Sequence, residues 1–305
     1  MKKLIVLLMF FLVFTIFLSG CTDIEEDVNN TNKQEEIKDE NQYSWSTMNE
    51  GPYGDQVSYA TSTDLLNWTD SKEIIAIHAS VPGAIYKEGI IYVYFVDVST
   101  DGIPERVGLI TSEDDAQTWS EKRYINIEGV GDKVPVDPAP YLLDNGQIRL
   151  YYFDINEGRG FQGTGDSTNK IYSAVSTDGV NFTEEGVCFT KAGVFDPDVI
   201  KVNDLWRLYV GDLAGNKVIS ATSADGLNFV EEGTAYTGGA VPDVFFKNDT
   251  YYLYTAGIDI STSSDGASFT KTIYRFESEI DMLTADPSVI ELNDGTYVML
   301  YKTKL

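Results

Sequence analysis

Five aspartates recur beside a proline in one repeated phrase: Asp137-Pro138, Asp196-Pro197-Asp198, Pro242-Asp243 and Asp286-Pro287. Carboxylates gathered out of water can do three kinds of chemistry. They split their pKa values and move protons, they ligate a hard cation such as calcium, or they accept hydrogen bonds from sugar hydroxyls. For any one of them the plainer explanation is a strand cap copied along with its repeat; the cluster is what points to function. Further candidates surround it. Asp154 and Asp212 each follow an aromatic-rich run, and Glu157 and Arg159 lie in a glycine-containing insertion. His78, the only histidine, stands four residues before Pro82.

The elements that must position these residues are legible as a repeat. Ala285-Asp286-Pro287-Ser288-Val289-Ile290-Glu291-Leu292 reads as a buried strand. Asn293-Asp294-Gly295 is a tight turn, and Thr296 to Tyr301 is a second strand ending in aromatics. The same phrase begins at Val81-Pro82-Gly83, Asp137-Pro138-Ala139, Asp196-Pro197-Asp198 and Val241-Pro242-Asp243. The prolines are 56, 59, 45 and 45 residues apart, the period of propeller blades. A second phrase alternates with it, as in Ser176-Thr177-Asp178-Gly179-Val180-Asn181-Phe182 and Ser223-Ala224-Asp225-Gly226-Leu227-Asn228-Phe229. Its Asp-Gly suits a tight turn between the third and fourth strands of a blade.

The chain's repeats start on a turn phrase, Ser62 to Trp68, and end on a strand-pair phrase. Five complete blades therefore require both chain ends to share one. The expected fold is all-β: a five-bladed β-propeller over residues 43–305 with N- and C-terminal strands in the closing blade. In such a ring the starts of first strands lie nearest the axis, on the same face as the ends of second strands. This puts Asp137, Asp196, Asp198, Asp243 and Asp286 around the axis, with Asp154, Asp212 and the loop bearing Glu157 and Arg159 above them. His78 either lines the axis or caps the surface. Calcium is a candidate cofactor, held across blades, since no contiguous calcium loop occurs.

A propeller with Asp-Pro at its strand starts resembles glycoside hydrolase family 43 and its clan, which cleave arabinans, xylans and fructans. The resemblance covers residues 43–305 and lies in the repeat pattern. It implies an aspartate base in the first blade, an aspartate that tunes pKa and a glutamate acid, the acid and base standing about 6.5–9.5 Å apart for inversion. The first blade instead has Val81-Pro82-Gly83. The resemblance therefore points to Asp137 or Asp196 as base, Glu157 as acid and Asp198 or Asp243 as modulator. The Ser-x-Asp phrases resemble the Asp-boxes of sialidases, which are structural turns; no three arginines gather as a sialidase needs.

The first residues carry a different message. Met1-Lys2-Lys3 and the apolar run Leu4 to Leu18 form a signal peptide over residues 1–20. Leu18-Ser19-Gly20-Cys21 resembles the lipobox of prokaryotic lipoproteins, which implies a lipid on Cys21 and an outward-facing, membrane-anchored protein. Residues 21–42 are an acidic segment expected to be a disordered tether. A formal net charge of −26 excludes nucleic acid as a partner. Two functions follow for an expected monomer. One is a tethered hydrolase of neutral, arabinose-, xylose- or fructose-type glycans by acid/base chemistry. The other is a non-catalytic propeller that binds a glycan or protein partner through the same acidic face.

Overall fold

The computed structural model describes residues 54–97, 105–158, 168–212, 214–281 and 283–304. The expected signal peptide, Cys21, the acidic segment and Arg159 lie outside the described residues. Strands β1 (Asp55–Ser62) and β2 (Thr69–Ile77) come first in the chain. The first blade is β3 (Ala79–Lys87), β4 (Ile90–Asp97), β5 (Arg106–Ser112) and β6 (Arg123–Tyr124). The second comprises β7 (Asn126–Glu128), β8 (Pro135–Leu142), β9 (Ile148–Asp154), β10 (Thr168–Ser176) and β11 (Asn181–Ala192), with a helical turn α1 (Ile155–Gly158) after β9. The third is β12 (Phe195–Val202), β13 (Leu205–Asp212), β14 (Lys217–Ser223) and β15 (Val230–Thr237). The fourth is β16 (Asp243–Lys247), β17 (Thr250–Thr255), β18 (Asp259–Ser263) and β19 (Thr270–Arg275).

The fifth blade has the order β2-β1-β21-β20, where β20 is Ala285–Glu291 and β21 is Tyr297–Lys304. The first strand of the chain pairs antiparallel with the last over a full eight residues, from Asp55 opposite Lys304 to Ser62 opposite Tyr297. Inner strands β3, β8, β12, β16 and β20 each pack on the next, and β20 packs back on β3, so the ring is closed. Alternation in the strands supplies the core between blades: Tyr94, Tyr151, Tyr209, Tyr254 and Tyr301 of the second strands are all buried.

The Ser-x-Asp phrases lie between third and fourth strands, as expected. In one, the Ser223 hydroxyl accepts the Asp225 and Gly226 N–H groups while Asp225 Oδ1 accepts those of Leu227 and Asn228. Four of the five turns also receive a tyrosine from the preceding blade, while Tyr301 of the fifth donates to Asp70 of its own blade. Tyr94 donates to the Gly179 carbonyl, Tyr151 to Gly226, Tyr209 to Gly266 and Tyr254 to Leu65, all at 2.8–2.9 Å. Arg149 and Arg207 are consumed in the same seams, each paired with a glutamate of its own blade, Glu185 or Glu232, and reaching the next blade's turn carbonyl.

Candidate functional site

The residue before each repeated proline has a left-handed backbone: Val81 (φ 49°), Asp137 (51°), Asp196 (48°), Val241 (59°) and Asp286 (49°). In four blades this residue and its proline stand opposite one residue of the partner strand; between Val136–Phe153 and Ala139–Tyr151, for example, Asp137 and Pro138 face Tyr152 alone. That is a bulge. The proline has no N–H to contribute to the ladder, and the bulge removes it from the pairing while re-aiming the residue before it. Aspartate tolerates this conformation; a β-branched valine is a true outlier there, so Val81 and Val241 hold strain on the order of 1–3 kcal/mol each.

The inner strands enclose an axial cavity of about 300 Å³, lined by all five of these residues together with Asp198, Asp243 and Ser288. Ring order sets their relation. Asp137 and Asp196 are on adjacent inner strands, and Asp286 is separated from them by the strands of Val81 and Val241. A proton-sharing pair thus faces a single carboxylate across the cavity, with an apolar residue on either side.

The carboxyls differ in charge state for identifiable reasons. Asp137, Asp196 and Asp198 line the cavity, and the protein packed around them withdraws bulk solvent. Burial pushes Asp137 up to about 6, opposed by hydrogen bonds from the Asp196 carboxyl and backbone N–H. Asp196 is driven well above the ordinary range, first by burial and then by the charges of Asp137 and Asp286. Two neighbouring carboxyls withdrawn from water cannot both ionise freely, so the pair tends to hold a proton between them. Asp286 is ion-paired with Lys302 of β21, and Lys302 lies 3.8 Å from Asp55, which in turn accepts the Ser80 hydroxyl at 2.8 Å.

Asp198 and Asp243 do other work. Asp198 Oδ2 accepts the Val244 N–H of the next blade at 2.8 Å, and Asp243 Oδ2 accepts that of Val289 at 3.2 Å. Burial raises Asp198 to about 7 and Asp243 well above its ordinary value, against those same hydrogen bonds. Ser288 continues the series, accepting the Ala84 N–H at 2.9 Å.

Of the expected site residues, the structure thus brings Asp137, Asp196, Asp198, Asp243 and Asp286 together. Of the other described candidates, Glu157, Asp154, Asp212 and His78 do not line the cavity. Glu157 accepts the Lys170 N–H at 3.0 Å and the Tyr172 hydroxyl at 2.9 Å and is ion-paired with Lys170. Asp154 caps the loops beside it, accepting the Val134 and Asn156 N–H groups at 3.0 Å. Asp212 accepts the Gly215 N–H and pairs with Lys217. His78 has a left-handed backbone just before β3 and is not among the cavity-lining residues. Lys302 and Asp55 were missed in the sequence; a charged residue inside the buried run Val298-Met299-Leu300-Tyr301-Lys302-Thr303 was the available signal. Among the described residues, no three His, Cys, Asp or Glu side chains converge to hold a metal ion.

Neither a protein-family model nor a curated protein sequence matches the chain. Solved structures do. The chain is similar in fold to the Bombyx mori GH32 β-fructofuranosidase, with a TM-score of 0.54, 16% identity, and coverage of 82% of this chain and 57% of that one. An α-L-arabinofuranosidase of Clostridium thermocellum gives 0.54 at 17% identity, covering 72% and 80%. A family 117 glycoside hydrolase from Zobellia galactanivorans gives 0.55 at 16% identity, covering 83% and 91%. What these likenesses share with the chain is the fold, a five-bladed β-propeller. The chain spans little more than half the length of the silkworm enzyme.

Proposed function

We propose that the chain is a hydrolase of neutral glycans that works at the axial cavity, with Asp196 as general acid and Asp286 as the opposing carboxylate. One observation carries this reading: two neighbouring carboxyls, whose charge burial disfavours, face a lysine-paired carboxylate across one cavity. Environments that push two carboxyls apart are what divides acid from base. Asp137 and Asp196 lie on adjacent inner strands rather than across the cavity from one another, so Asp137 serves by holding the Asp196 proton. Its aspartates on the axis, and the likeness in fold to glycoside hydrolases, support the reading. The anionic cavity disfavours acidic sugars. Arabinose-, xylose- or fructose-type glycans are the substrates proposed, and the Leu18 to Cys21 sequence supports a lipid-anchored, outward-facing enzyme.

A specific observation favours a second reading, a propeller that binds a glycan without cleaving it. Glu157 is tied to Lys170 and Tyr172, and Glu291, the glutamate that does line the cavity, is five residues along β20 from Asp286 and paired with Lys247 at 2.5 Å. No described glutamate thus joins the aspartates. Release of reducing sugar from neutral arabinans, xylans and fructans separates the two. Turnover lost in Asp196→Asn and Asp286→Asn but kept in Glu157→Gln supports the hydrolase and its residues. Glycan binding with no turnover anywhere replaces it with the second reading.

A further inference from the structure

The propeller is closed by pairing the first strand with the last, and that seam delivers two charged groups to the back of the cavity. β1 brings Asp55 and β21 brings Lys302. Lys302 sits in register between Ala285 of β20 and Val57 of β1, one residue from the position of Asp286. Its ammonium contacts the Asp286 carboxylate and stands 3.8 Å from Asp55, and the three side chains expose only 18%, 6% and 7% of their surface. A lysine this enclosed is retained in charged form only by partners, since burial alone favours the neutral amine. Asp286 and Asp55 overcome that cost, and Lys302 is held above its ordinary pKa.

We propose that Lys302, clamped between Asp286 and Asp55 where the first and last strands pair, is a positioning residue that holds the Asp286 carboxylate at the cavity and sets the charge that the Asp137–Asp196 pair faces. This deepens the reading of the axial cavity as the working site and rests on it. Lys302 does not line the cavity; it stands behind Asp286. The groups that bear on it come from every strand around it: Asp286 from β20, Asp55 from β1 with Ser80 of β3 bonded to it, Asp196 from β12, and Asp137 from β8. Lys304, on its own strand, acts on Asp55. Both members of the proton-sharing pair feel the Lys302 charge, which favours their ionised form, and the Asp286 charge, which opposes it. The trio therefore links completion of the ring to the charge of the site, because neither Asp55 nor Lys302 is in place until the chain ends pair.

The test is a carboxyl-carbon NMR titration of the full chain labelled at aspartate, with melting followed for each variant. Lys302→Met is expected to move the Asp137 midpoint, about 6 in the parent, upward by about one pH unit. Lys302→Arg is expected to restore it, and Asp55→Asn, which leaves Lys302 less neutralised, to move it downward. A midpoint unmoved in Lys302→Met, or moved equally in Lys302→Arg, overturns the proposal. Should Lys302→Met fail to fold, Asp55→Asn decides alone, and a midpoint that stays or rises overturns it. The titration needs no substrate. A chain that titrates as expected but cleaves no glycan would refute the hydrolase and leave Lys302 its role, and the reverse result would do the opposite.

Discussion

The Val244 N–H of the fourth blade donates to Asp198 Oδ2 of the third at 2.8 Å. The relation repeats around the axis: the residue after the proline of one blade accepts from the residue two after the proline of the next, Asp243 from Val289 and Ser288 from Ala84. It stops at the first blade. There the residue after the proline is Gly83, and its counterpart across the seam is Pro140, which has no N–H to give. A β-carbon on Gly83 would lie 2.0 Å from the Pro138 carbonyl oxygen and 2.7 Å from Pro140 Cδ. Glycine and proline thus replace a hydrogen bond by close backbone packing, and these aspartates are seam residues before they are site residues.

Asp243→Ala is expected to lower stability by about 1–3 kcal/mol, because it removes the acceptor of the buried Val289 N–H. Asp243→Asn keeps an acceptor oxygen and should lose much less. Urea midpoints of the two variants, compared at pH 6, check this; equal losses would remove the seam role.

Gly83→Ala is expected to cost about 3 kcal/mol through overpacking against backbone that cannot swing away. The readout is the melting temperature. A variant that melts with the parent would mean that the seam between the first two blades is looser than its geometry.

Tyr151→Phe removes the hydroxyl that donates to the Gly226 carbonyl at 2.8 Å in the seam between the second and third blades, and should cost about 1 kcal/mol. Its effect should be confined to stability, with the pH dependence of the site unchanged, as denaturant curves and an aspartate titration together would show.

Stability should peak in mildly acidic solution. Asp137, Asp196, Asp198 and Asp243 have folded-state pKa values above the unfolded value of 3.8, so the folded state binds more protons between the two. The stability they permit is full below 3.8 and falls as pH rises through about 6 for Asp137 and about 7 for Asp198. The turn aspartates have the opposite sign. Backbone N–H groups lower Asp64 to about 2, so its contribution is present above 3.8 and lost as pH falls towards 2. Melting temperatures from pH 3 to 9 should therefore form a dome, and replacing both Asp198 and Asp243 by Asn should flatten its alkaline side.

The blades, the shared closing blade and the axial aspartates were legible in the sequence, because Asp-Pro and Ser-x-Asp each recur with a fixed place in the repeat. The division of labour among those aspartates was not. Asp198 and Asp243 are told from Asp196 and Asp286 only by a partner 46 residues away in the next blade and by the left-handed backbone at Asp196 and Asp286. Glu157 was singled out for its type and its loop. Lys170 and Tyr172, on the strand that follows that loop, engage all of its acidic reach. Lys302 carried no motif, because its meaning depends on which strand closes the ring.

The most direct measurement of the central claim is glycan-array binding by the parent chain and by the triple variant Asp137→Asn, Asp196→Asn, Asp286→Asn. The substitutions keep side-chain shape, and the melting temperature verifies the fold. Neutral glycans retained by the parent and released by the variant are the predicted result. Equal retention by both would place the ligand elsewhere on the propeller and contradict the assignment of the axial cavity.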